Sequence, residues 1–113
     1  MGASKFTVLV ELKKPETKLF EKRKNRSESW KLSKDLTFSM SQILAQKTEW
    51  IVKSKTQQFD DKGNLINHKT FDPKTILIIG NSNQYTGEDK DTQIKAKTFE
   101  LYRRNSRNIE ILT

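Results

Sequence analysis

The sequence predicts one α/β domain organised around a strand–helix–strand crossover, and three stretches carry that prediction. Residues 6–14 alternate like a strand, residues 33–54 repeat apolar side chains at helical spacing, and Thr75–Gly80 is the most apolar run of the chain. Two strands joined through a long helix fit a parallel pair, which needs a crossover of a dozen residues or more. A length of 113 residues leaves room for a single domain.

Hydrophobic residues make up 33% of the chain and charged residues 32%, so the core is modest. The formal net charge of +8 favours a polyanionic partner, with nucleic acid ahead of an anionic membrane. There is no cysteine, which excludes a disulfide framework, a thiolate zinc site and a cysteine nucleophile. His68 is the single histidine, so a site built on several histidines is excluded as well. These features fit a reducing, cytoplasmic setting. No apolar run approaches the ~20 residues of a membrane span, and Met1–Ser4 does not resemble a signal peptide. Residues 1–5 read as a flank or an expression remnant and residues 6–113 as the domain. The chain starts almost directly on a strand and stops directly after Ile109–Leu112, which reads as an N-terminally truncated, partial domain.

In the opening strand Phe6, Val8, Val10 and Leu12 share one face, and Thr7, Leu9, Glu11 and Lys13 share the other. We expect the strand to be buried, with Pro15 closing it because proline has no ladder N–H. A carboxylate and an ammonium two residues apart at a strand end suit metal-assisted hydrolysis. The carboxylate is a hard Mg²⁺ ligand, and the ammonium offsets charge on water or a phosphoryl oxygen. A surface ion pair gives the same letters.

Glu16 to Lys31 reads as an exposed basic loop anchored by Phe20 and Trp30. Between Lys13 and Arg26 it sets seven cations (Lys13, Lys14, Lys18, Lys22, Arg23, Lys24, Arg26) against two acids. Such a run is either a solvated loop or a phosphate-binding rim. The best helix follows, from Ser33 as N-cap to Ser54, with Asp35 in the first turn and Leu36, Met40, Ile43, Leu44, Trp50 and Ile51 as its apolar stripe. Gln42 and Gln46 stand one turn apart on it.

Residues 56–72 read as a peripheral hairpin turning at Gly63, with Asp60 and Asp61 as solvated turn acids. Ile76–Ile79 reads as a central strand buried on both faces. The polar loop Asn81–Asp91 lies at its C-terminal end, where open α/β sheets carry ligands. Asp91 or Thr92 caps a second helix over 93–105, with Ile94, Leu101 and Tyr102 inward, Phe99 reaching a neighbouring surface, and a basic face that includes Arg103 and Arg104. Asn108–Leu112 is the last strand.

The glycine content rules out a P-loop or dinucleotide fingerprint, since none of the four glycines clusters before a helix. What remains is Glu11 and Lys13 on a strand end, a basic rim, and a helix carrying Gln42 and Gln46. Together these suit a metal-dependent phosphodiesterase site.

Glu11-Leu12-Lys13-Lys14-Pro15 followed by a glutamine-bearing helix resembles the core of the PD-(D/E)XK nucleases, which have a restriction-endonuclease-like fold with a mixed sheet. Four blocks in order narrow the resemblance: Val10 to Phe20, Leu32 to Thr37 with Gln42, Ile76 to Gly80, and Lys97 to Arg104 leading into Ile109 to Thr113. This order is similar to the C-terminal nuclease domain of the Shedu family of bacterial anti-phage proteins, from about Val8 to Thr113. The resemblance implies an Mg²⁺- or Mn²⁺-dependent DNA endonuclease. Glu11 and the Leu12 carbonyl would be metal ligands, Lys13 would orient the attacking water, and Gln42 would be the helix glutamine, with Gln46 as second choice. It also implies DNA contacts from Lys14, Lys18, Lys22, Arg23, Lys24, Arg26, Arg103 and Arg104, a homo-oligomer, and no membrane or small-molecule cofactor. The superfamily uses a further acid on the preceding strand, and no acid precedes Glu11 here. The fragment is therefore expected to bind metal weakly and to have little activity. The alternatives are a non-catalytic nucleic-acid-binding module, and an oligomerisation module with Phe20, Trp30, Phe99 and Tyr102 as interface anchors.

Overall fold

The computed structural model describes residues 7–25, 28–54, 58–59, 62, 65–66 and 73–113. Arg26, Phe6, Gly63, Asp60, Asp61, His68 and the 1–5 flank lie outside the described residues. Strand β1 (Val8–Leu12) leads into β2 (Phe20–Lys24) and β3 (Trp30–Leu32), then α1 (Lys34–Ser54), β4 (Gln58–Phe59) and β5 (Leu65–Ile66). Strand β6 (Lys74–Ile78), a 3-10 turn (Ser82–Tyr85), α2 (Lys90–Asn105) and β7 (Ile109–Leu112) complete the order. The main sheet runs β1-β6-β7, and both of its pairings are parallel. The architecture is thus α/β with the expected parallel pair of the opening and central strands. The three-stranded sheet is wholly parallel rather than mixed, and the antiparallel pairings β2–β3 and β4–β5 stand apart from it.

One core cluster joins Leu77 within β6 and Ile79 just after it, Ile109 and Ile111 of β7, Leu36, Met40 and Ile43 of α1, and Phe99 of α2. Parallel partners point to the same face, so the register of Glu11 opposite Leu77 puts Glu11 on this helix-covered side. The other face of β1 is not buried: Val8, Val10 and Leu12 are 50%, 55% and 73% exposed. Ile76 and Ile78 on that same outer face are half-buried, so β6 is not covered on both sides. Alternation reveals which side chains share a face; the face α1 takes is decided by where its own stripe can pack.

Strands β2 and β3 pair antiparallel where a loop was expected. Phe20 and Trp30 are buried as expected, and Leu19 joins them. The Trp30 indole N–H donates to the Glu21 carbonyl at 2.7 Å, and the Trp30 amide donates to Thr98 Oγ1 of α2 at 2.9 Å. The cations Lys22, Arg23 and Lys24 stay outward, which masked the strand in the sequence.

Ser33 caps α1, its Oγ accepting from the Leu36 amide at 3.0 Å. The buried stripe runs Leu36, Ser39, Met40, Ile43, Lys47, while Leu44 and Trp50 are exposed. Helix α2 starts earlier than expected, because Asp89 is its cap and accepts from the Thr92 amide at 3.0 Å. The hydroxyl and amide of Thr92 hold the Asp89 carboxyl below the usual aspartate range. Phe99 is in the core, stacked on Tyr85 at 5.0 Å and edge-on to Phe20 at 6.2 Å, while Leu101 is exposed. The expected interface anchors Phe20, Trp30 and Phe99 therefore belong to the core. No helix among the described residues is long and apolar enough to cross a membrane.

Candidate active site

The C-terminal end of β1 is held by ladder bonds on alternate residues. The Lys74 amide donates to the Thr7 carbonyl at 3.1 Å, and the Lys13 amide donates to the Ile78 carbonyl at 2.8 Å. In a parallel ladder a residue turns both of its backbone groups to one neighbour, so the intervening residues, Leu12 among them, turn theirs to the other side. Among the described residues no strand pairs with β1 on that side, so the Leu12 carbonyl faces away from β6. Glu11 and Lys13 sit on the helix-covered face and pair at 3.4 Å, with side chains 27% and 33% exposed.

Opposite Lys13 lies the N-terminal half of α1. A cavity of about 460 Å³ is lined by Lys13, Lys18, Glu16, Asp35, Ser39 and Gln42, with Thr17 and Phe38 completing the wall. On α1 the lining residues Asp35, Phe38, Ser39 and Gln42 follow the i, i+3, i+4, i+7 rule, so they form one stripe. The structure thus brings Lys13 and Gln42 to one cavity. Gln46 is exposed and does not line it.

The turn that closes the cavity is pinned from the loop after β6, which sequence reasoning had assigned to ligands. Gln84 uses both ends of its amide: Nε2 donates to the Thr17 carbonyl and Oε1 accepts from the Leu19 amide, each at 2.8 Å. Asn81 Nδ2 donates to the Pro15 carbonyl at 2.8 Å. Gly80, at φ +66°, lets Leu19 pack where a side chain would stand. Asp35, read from sequence only as a first-turn acid, and Glu16, read only as the start of the basic loop, also line the cavity. The position of Asp35 was legible, since it lies two helical turns before Gln42.

The predicted DNA-contacting residues separate into two groups. Lys14, Lys18, Lys22, Arg23 and Lys24 are exposed, and run from the cavity rim along β2. Arg103 and Arg104 share Glu100 at 3.4 and 3.6 Å, at the C-terminal end of α2. They line a different cavity, of about 550 Å³, with Lys74, Asn108 and Ile109 at the N-terminal ends of β6 and β7. At roughly 3.3 Å per residue the length of the strands separates them from Lys13.

The resemblance implies a divalent cation, and two of the donors it calls on are of the right kind: the Glu11 carboxylate and the Leu12 carbonyl are hard oxygen ligands. Among the described residues no group of three or more His, Cys, Asp or Glu side chains converges. Among the described residues these donors do not form a closed protein cage.

The model of the family described as "Shedu protein SduA, C-terminal" matches residues 1–113. A curated relative, the Shedu protein SduA of Bacillus cereus (strain B4264), is 32% identical over 114 residues. That match covers 97% of this chain and 28% of the relative, so the chain spans little more than a quarter of the relative's length. On both findings, the chain belongs to the Shedu SduA C-terminal family.

Proposed function

We propose that this chain carries the catalytic core of a metal-dependent DNA endonuclease within a bacterial anti-phage defence protein. One observation carries the reading: the Glu11–Lys13 pair at a parallel strand end adjoins a cavity that Lys13 and Gln42 line together. The expected PD-(D/E)XK core is part of this proposal.

The Glu11 carboxylate and Leu12 carbonyl would hold the cation, Mg²⁺ or Mn²⁺. When bound, it supplies Lewis-acid stabilisation of charge on the phosphoryl oxygens. Lys13 donates hydrogen bonds to the attacking water and offsets the negative charge that grows in the transition state. The Gln42 amide, carried on a long helix, positions water or phosphate opposite Lys13. Lys14, Lys18, Lys22, Arg23 and Lys24 hold the DNA backbone by sequence-independent phosphate contacts. Arg103 and Arg104 add to that surface if the duplex continues to the far end of the sheet. The homo-oligomer that the resemblance implies belongs to the same proposal, but draws no support from Phe20, Trp30 or Phe99, which are in the core.

The test is nicking of supercoiled plasmid with Mg²⁺, with Mn²⁺ and with chelator. Metal-dependent nicking that falls by about 10²-fold or more in Glu11→Gln and in Lys13→Met supports the reading. Salt-sensitive DNA binding with no metal-dependent nicking leaves a binding module instead.

A further inference from the structure

We propose that the cavity at the N-terminal ends of β6 and β7 is a second ligand site, one that takes a phosphate monoester dianion. It lies at the opposite end of the sheet from Lys13 and does not depend on the nuclease reading. Three elements bring cations to its wall: Lys47 comes from α1, Lys74 from β6, and Arg103 and Arg104 from α2. Among the described residues of the lining, these four cations stand against two carboxylates, Glu100 and Glu110, so two positive charges are in excess. A phosphate monoester carries about −1.5 to −2 charges at neutral pH, which matches that excess. The cavity holds about 550 Å³, inside the range of roughly 300–1,000 Å³ typical of small-molecule sites. Pro73, Ile109 and Ile111 add apolar wall on which the organic part of a nucleotide can rest.

Cations in the last turn of a helix ordinarily serve its free carbonyls. At the end of α2 other donors are already in place. Asn105 Nδ2, Ser106 Oγ and the Ser106 amide donate to the carbonyls of Leu101, Tyr102 and Arg103, at 2.7, 2.7 and 3.3 Å. The ion pairs of the wall are the other ordinary role. Arg103 and Arg104 share Glu100 at 3.4 and 3.6 Å, and Lys74 meets Glu110 at 3.3 Å. These are solvent-accessible pairs, which contribute little and yield readily to a stronger anion. Glu100 divides one carboxylate between two guanidinium groups, so a dianion offers Arg103 and Arg104 more than they hold. A carboxylate ligand would only repeat what Glu100 supplies. Arg103 is held ready, its guanidinium 5.9 Å from the centre of the Phe99 ring, which is itself fixed in the core. The position of Lys47 is the most informative. It follows Leu36, Met40 and Ile43 on the buried stripe of α1 and is only 7% exposed, where lysine is rare. A solvated basic face does not account for a cation placed there.

The experiment is a titration of the 113-residue chain with inorganic phosphate, with adenosine monophosphate and with adenosine, followed by calorimetry and by amide chemical shifts. Phosphate and the monophosphate are expected to bind, to shift the amides of Lys74, Asn108 and Ile109, and to leave those of Lys22 to Lys24 unmoved. Arg103→Gln and Arg104→Gln should each weaken both by about tenfold or more. Arg107→Gln, which removes an exposed cation outside the cavity, should change neither by more than about twofold. A monophosphate bound more tightly than phosphate makes the ligand a nucleotide, and equal affinities make it free phosphate; either supports the site. Adenosine bound as tightly as its monophosphate overturns the proposal, and so does the absence of binding by both phosphate probes at millimolar concentration. Shifts spread equally over Lys22 to Lys24 overturn it as well, since they mark an anion drawn to net charge alone. A loss in Arg107→Gln equal to that in Arg103→Gln has the same meaning. The chemical shifts of the unmutated chain need no variant, so the test stands even where a substitution disturbs folding.

Discussion

Gly80→Ala is the substitution whose cost the geometry defines best. Gly80 has φ +66°, in the left-handed region that an alanine enters at a cost of about 1–2 kcal/mol. A Cβ there would stand 2.8 Å from Leu19 Cγ, 2.9 Å from Leu19 Cδ2 and 3.1 Å from Gln84 Nε2. Leu19 cannot easily move aside. It is fully buried, its amide is bound to Gln84, and its carbonyl accepts from the Ser33 amide at 2.8 Å. Overpacking of this kind typically adds about 1–3 kcal/mol. The sum is about 2–5 kcal/mol, a large share of the ~5–15 kcal/mol that holds a domain together.

Urea denaturation followed by circular dichroism reads this loss, and a double-mutant cycle with Leu19→Ala divides it. Where Leu19 is already truncated the clash disappears, so Gly80→Ala should then cost only its backbone part, about 1–2 kcal/mol. A single-mutant loss below about 1 kcal/mol would refute the reasoning, and so would a cycle with no coupling. The functional consequence is local. The Lys14–Leu19 turn closes the cavity beside Lys13, so its displacement should weaken metal-dependent nicking even in the variant molecules that stay folded.

Phe99→Ala should cost about 3–5 kcal/mol, measured by the same denaturation, because Phe99 is 1% exposed and packs between Tyr85 and Phe20. An intact monomer with lost self-association would instead make it an interface residue. DNA affinity should fall with salt at roughly −0.9 per neutralised phosphate in a log–log plot. Replacing Lys22, Arg23 and Lys24 with Ala should then lower the slope by about 2–3, and an unchanged slope removes β2 from the contact surface.

The long helix, its Ser33 cap, the apolar run at β6 and the parallel pairing were legible because each depends on local periodicity or on the crossover rule. The β2–β3 hairpin was not, because Lys22, Arg23 and Lys24 hide a short strand whose hydrophobic contribution is concentrated in Leu19, Phe20 and Trp30. Helix α2 was shifted for a similar reason. Asp91 and Thr92 look like caps in the sequence, and only the bond from the Thr92 amide to Asp89 shows that the helix is capped earlier. Of the candidate site, Glu11, Lys13 and Gln42 were legible as residues. The Gln84 clamp was not, since its partners Thr17 and Leu19 are more than sixty positions away and a glutamine bonding to backbone leaves no pattern in sequence.

The face of β1 links the correction to the site. Burying Val8, Val10 and Leu12 and bringing Lys13 opposite Gln42 are incompatible expectations, because alternate residues of a strand point to opposite sides. If α1 covered the apolar face, Glu11 and Lys13 would point away from it and the motif would be a solvated ion pair. The helix instead packs on the side of Thr75, Leu77 and Ile79, which carries Leu9, Glu11 and Lys13. A pair of charges then occupies half-buried positions at the helix boundary, while three aliphatic side chains of the same strand stand exposed. Hydrophobic burial by β1 alone would favour the opposite arrangement at about 25 cal/mol per Å². The choice must therefore be made by β6 and β7, where Leu77, Ile79, Ile109 and Ile111 are almost wholly buried against the helical side. β1 follows β6 by register, and its Glu-x-Lys motif meets α1 as a consequence.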